Sequence, residues 1–228
     1  MKKVFMAFVL LAIAFFGRDR AFGGGIGDPG ATLNKGAWAL GPEVSGVGRE
    51  ISDRDNMRYD TESWRLLLKG SYGIMDWLEI FGRMRGATFK IRGTAFDSSL
   101  GIAGGGGLKG TFLDPPGHPL RYSVGGQFLY TQTDSQGGTG KWFEYDLWLG
   151  VSYKDIRKVI PYGGVVYSQV NGKVENFSPK PALDDFRSPT SAGIFFGVRW
   201  SMSQKTHLGI EARLFSENSA TASLYYGF

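Results

Sequence analysis

The chain has 228 residues and no cysteine, which suits one domain and excludes a disulfide-stapled scaffold. Glycine supplies 35 residues and aromatics 14%, and beyond the first 23 residues no segment is apolar enough to cross a bilayer as a helix. The formal net charge of +5 rests partly on Lys2, Lys3, Arg18 and Arg20, set against Asp19, so it argues for no nucleic-acid partner.

Residues 1–23 form the first element. Met1, Lys2 and Lys3 give a basic start, the run from Val4 to Phe16 is apolar, and Ala21 and Gly23 are small residues at the spacing a signal peptidase prefers. The run falls short of the ~20 apolar residues a membrane helix needs. Arg18, Asp19 and Arg20 suit a cleavage region poorly, which leaves an uncleaved anchor or a buried helix as the competing reading. The pattern points to a signal peptide, with residues 24–228 as one exported domain.

Residues 23–33 read as a short lead-in. Extended segments then follow at 35–46, 62–73, 77–87, 99–112, 120–131, 141–153, 159–170, 191–202, 206–216 and 219–228. That is about ten strands, with eight to twelve possible because the signal is diluted by glycine before Trp38 and over 99–112. Their connectors alternate. Those at 73–76, 114–118, 154–157 and 203–205 are tight, whereas 48–60, 88–98, 132–140 and 171–190 are long and polar. Short turns on one side and long loops on the other suit a membrane barrel with both ends in the periplasm, although the turn near Glu217 and Asn218 is short where a loop belongs.

Alternation is clearest over 143–153. Phe143, Tyr145, Leu147, Leu149, Val151 and Tyr153 face one way, and Glu144, Asp146, Trp148, Gly150 and Ser152 the other. A soluble barrel or sandwich would show the same period. Lipid on the apolar side is favoured by the other face, where Gly101, Gly105, Gly107, Gly125 and Gly150 suit a crowded interior. Trp38, Trp64, Tyr72, Trp77, Tyr122, Tyr130, Tyr153, Tyr162 and Tyr167 lie near strand ends, as interfacial girdles require.

The last segment stays in register to its end. Ala220, Ala222, Leu224, Tyr226 and Phe228 share one face, and Thr221, Ser223, Tyr225 and Gly227 the other. With the signal-peptide pattern and the strand-turn-strand unit from Ser71 to Arg83, this ending resembles the small bacterial outer-membrane β-barrel proteins. The resemblance implies an all-β fold, namely a transmembrane antiparallel up-and-down β-barrel in the bacterial outer membrane. It also implies an assembly signal at Leu224, Tyr226 and Phe228, read by the barrel-assembly machinery. Outer-membrane lipid and lipopolysaccharide are then the surroundings, and a monomer the expected state.

Strand parity turns Arg65, Lys69, Glu79, Arg83, Arg85, Glu144, Asp146, Arg199, Glu211 and Arg213 inward. Buried ionisable groups must pair or stay hydrated, so they form either a salt-bridge network filling the lumen or the wall of a narrow channel for small solutes or ions. Barrels near this strand number are close to being filled by side chains, which argues against a wide porin, although the inward glycines leave some room. No catalytic, metal or cofactor site is expected. His118 and His207 fall in or beside short turns, away from the outer rim, and Asp53, Arg54 and Asp55 lack the spacing of a calcium loop. Gly104 to Gly107 is not followed by the Lys-Ser/Thr of a phosphate loop. The loop at 171–190, with Phe177, Asp184, Asp185 and Phe186, mixes aromatic and charged residues as a contact surface would. A structural or surface-interaction role through such loops, without catalysis, is the expected function.

Overall fold

The computed structural model describes residues 25–92, 97–135, 138–156, 158–175 and 185–228. The expected signal peptide, Phe177 and Asp184 lie outside those residues. Among the described residues, eleven strands run in chain order: β1 (Trp38–Ser52), β2 (Arg58–Met75), β3 (Leu78–Ile91), β4 (Asp97–Leu113), β5 (Leu120–Ser135), β6 (Gly138–Tyr153), β7 (Val159–Glu175), β8 (Asp185–Arg187), β9 (Ala192–Ser201), β10 (Thr206–Leu214) and β11 (Asn218–Gly227). All pairings are antiparallel, and β11 pairs back onto β1 from Ala39↔Gly227 to Gly48↔Asn218, so the sheet closes into a barrel. Closure leaves no open edge of unpaired backbone groups.

Ten long strands make the wall, at the positions the alternation predicts. The eleventh, β8, has three residues. It pairs with the upper end of β7 (Asn171↔Arg187 to Lys173↔Asp185) and touches β1 at Ser52↔Arg187. It fills the step left because β9, β10 and β11 span only 9 to 10 residues while β2 spans 18.

The outward face is apolar over a band. Met84 is 71% exposed, Ile102 78% and Leu66 61%, and Leu147, Leu149, Phe128 and Val165 line the same surface. So much exposed apolar area on one continuous belt is a surface for hydrocarbon. On β2 the belt runs from Trp64 to Tyr72, about 20 Å along the normal for a strand tilted by roughly 40°. Of the aromatics expected in the girdles, Tyr162 is a correction: it is 7% exposed and turned into the lumen. Leu68 and Met84 pair at the middle of the belt. Met84→Arg should therefore destabilise the membrane-inserted barrel by about 2–4 kcal/mol, measured by urea unfolding in lipid vesicles.

Above the belt the two faces exchange character. Glu50, Asp60, Glu62, Lys90, Gln132 and Lys173 now point outward, and Ile51, Phe89, Ile91, Val170 and Val174 point inward. The strands thus continue past the apolar belt with a polar outer face around an apolar core. This corrects the loop limits expected at 48–60, 88–98, 132–140 and 171–190, each of which contributes strand residues. Outside the lipid the outer positions are polar, so the period of apolar residues that marks a lipid-facing strand is lost there.

Candidate functional site

The lumen is the site, and it is built in three layers. The lowest is made by residues 25–33, which do not simply lead into β1 but fold up inside the barrel. Ile26 is 1% exposed and packs with Phe81, Trp148, Tyr162, Val166 and Phe195. The amides of Ile26 and Gly27 donate to the two carboxylate oxygens of Glu211 at 2.7 and 2.8 Å. Asp28 accepts from Ser152 Oγ at 2.5 Å and pairs with Arg199 at 3.1 Å. Arg83, Arg121 and Lys109 donate to the carbonyls of Gly25, Gly30 and Ala31, and the Leu33 amide donates to Glu79 at 3.2 Å. These backbone groups of the segment thereby meet inward side chains, as burial requires. Gly150 gives it room: a Cβ there would come within 2.5 Å of Pro29 Cγ.

The middle layer holds the charge. Arg213 is 1% exposed and reaches Asp146 at 2.9 Å, Glu211 at 3.2 Å and Glu217 at 3.3 Å. Arg49 pairs with Glu217 at 2.5 Å, Arg65 with Glu144 at 3.2 Å, Arg83 with Glu43 at 3.3 Å and Lys109 with Glu79 at 3.3 Å. Arg85 stands 3.7 Å from Glu144 and donates to Thr131. The Lys69 ammonium lies over the rings of Phe81 at 4.5 Å and Tyr225 at 5.3 Å. Gln127 bridges Arg83 and Asp146, and the hydroxyls of Tyr162 and Tyr225 donate to Glu211 and Glu43.

Nine of the ten side chains that parity turned inward are buried here, and Arg199 sits at the lower mouth with 21% of its side chain exposed. Among the described residues, five further charged members of the network escaped sequence reasoning: Asp28, Glu43, Arg49, Lys109 and Glu217. Glu43 and Lys109 share parity with inward Gly41 and Gly107, so alternation contains that signal. Arg49 and Glu217 lay in stretches read as loop or turn.

The top layer is apolar. Ile51, Phe89, Ile91, Trp142, Val170, Val174 and Phe186 form one buried cluster, with Phe89 and Trp142 rings 4.5 Å apart. Phe186 is a correction to the expected contact loop. Short strand β8 carries it inward, where it is 4% exposed and 6.3 Å from Phe89. Asp185, beside it, stays at the surface and pairs with Arg54.

At the lower end, Leu224, Tyr226 and Phe228 face outward on the closing strand. The Tyr226 and Phe228 rings are 5.0 Å apart, and the Phe228 amide donates to the Trp38 carbonyl at 2.8 Å. His118 lies in the β4–β5 turn, and His207 Nδ1 is 3.1 Å from Ser201 Oγ near the β9–β10 turn. In the former turn, hydrogen bonding to Lys154, joined by Arg121, holds the Asp114 carboxyl below its ordinary range.

No protein-family model and no curated protein matches the sequence. Among solved structures, an outer-membrane channel from Pseudomonas putida F1 superposes with a TM-score of 0.50 at 9% identity, covering 90% of this chain and 98% of that one. The outer-membrane protease OmpT from Escherichia coli gives 0.47 at 11% identity, over 86% and 99% of the two chains. Ail, the attachment invasion locus protein of Yersinia pestis, gives 0.35 at 12%, over 85% and 99%. At 9% identity the first of these shows a shared fold alone. The protein has the antiparallel β-barrel fold of that outer-membrane channel, and its exposed apolar belt is the surface such a barrel turns to a bilayer.

Proposed function

We propose that this protein is a non-conducting, monomeric outer-membrane barrel with a structural or surface-interaction role, without catalysis or a cofactor. The observation that carries the reading is the filled lumen: an apolar cluster above, interlocked charges between, and the chain's own residues 25–33 below. A conduit would need the cap and the lower segment to move together. What the molecule offers to partners is its outer rim, where the pairs Arg54–Asp185, Arg58–Glu50 and Arg92–Glu62 ring the extracellular end. Mixed charge at that height suits the phosphates and sugars of lipopolysaccharide or another envelope component. Residues 1–23 are proposed as a cleaved signal peptide, and Leu224, Tyr226 and Phe228 as the stretch read by the assembly machinery.

The competing reading, a narrow channel for small solutes or ions, draws on the same charged lumen. Purified protein in a planar lipid bilayer separates the two. A flat current trace under applied voltage is expected, and stable unitary steps would replace the first reading by the second.

A further inference from the structure

The charged layer is unevenly balanced along the barrel. Just below the apolar cap, Arg65 and Arg85 both lean on Glu144, at 3.2 and 3.7 Å. Arg49 has Glu217 at 2.5 Å, a carboxylate it shares with Arg213 at 3.3 Å. Three guanidinium groups therefore face one carboxylate of their own and part of another. Nε and Nη1 of both Arg49 and Arg85 are buried without a hydrogen-bond partner among the described residues. Arg49 and Arg65 also border an internal cavity of about 20 Å³, walled otherwise by Thr61, Ser63 and apolar side chains such as Val47 and Phe186.

A void of that size accepts one or two water-sized particles. It is too small for phosphate, sulfate or a carboxylic acid. Water would satisfy N–H groups but leave the surplus positive charge in place, and uncompensated buried charge is costly. A monatomic anion answers both needs. We propose that this cavity is a binding site for a single halide ion, chloride under ordinary conditions, held by the Arg49 and Arg65 guanidiniums under the apolar cap.

Two measurements on the whole protein test this. The first is diffraction at the bromide absorption edge from protein folded and crystallised in sodium bromide. The second is the temperature at which the folded band converts on a heat-modifiable gel, in sodium chloride against sodium gluconate at equal ionic strength. An anomalous peak between Arg49 and Arg65 is expected, with conversion several degrees higher in chloride, since a ligand that binds only the folded state stabilises it. Val47→Leu, which adds one methylene to the cavity wall, should stay folded and lose the chloride dependence. An anomalous map without a peak there overturns the site. A peak with identical conversion temperatures in the two salts marks an adventitious ion only and overturns it equally.

Discussion

Arg213→Met should destabilise the barrel by about 3–5 kcal/mol, although methionine fills a similar volume and the change lies far from lipid. The reason is what it leaves behind. Arg213 is 1% exposed and neutralises Asp146, Glu211 and Glu217 at once, at 2.9 to 3.3 Å. Without it, Glu217 keeps Arg49, and Glu211 keeps the amides of Ile26 and Gly27. Among the described residues, Asp146 keeps only the Gln127 amide, a neutral donor. The double change Arg213→Met with Asp146→Leu should therefore recover a large part of the loss, because removing both partners spares the cost of an orphaned buried charge. A double-mutant cycle on urea midpoints in lipid vesicles measures this. Equal losses in the single and double variants would mean that Arg213 acts by packing, not by charge.

This network also marks what could be read from the chain alone. Within the bilayer each strand has lipid on one side and a lumen on the other. Parity then turned Arg65, Lys69, Glu79, Arg83, Arg85, Glu144, Asp146, Glu211 and Arg213 inward, where they are buried. Beyond the bilayer both environments change. Lys173 and Val174 obey the same period as Tyr167 and Val166, but with the polar residue outside, so a stretch of strand looked like loop. Phe186 followed the same inversion: an aromatic in a polar stretch suggested an exposed contact, whereas it closes the apolar core of the projecting barrel. Residues 25–33 carry no period at all. Their conformation is dictated by partners such as Glu211 and Ser152, 185 and 122 positions away, which local pattern cannot register.

That segment supports the second large effect. The chain has no cysteine, so a single Ser152→Cys reports on one place. Ser152 is 3% exposed, and its hydroxyl lies between Asp28 and the Gly30 amide, directly over the inserted segment. A water-soluble maleimide should label the introduced thiol slowly in the otherwise intact barrel. Deleting residues 25–33 behind the same export sequence should speed labelling by well over tenfold, since every 1.4 kcal/mol holding the segment in place slows it by about that factor. The deletion should not produce current in a planar bilayer. Arg213 with its carboxylates and the cap of Ile51, Phe89, Trp142 and Phe186 still stand between the lower mouth and the outer rim. Fast labelling with no conductance is thus the expected pair of results. Equally slow labelling after the deletion would mean that the wall itself, rather than residues 25–33, seals the lower end.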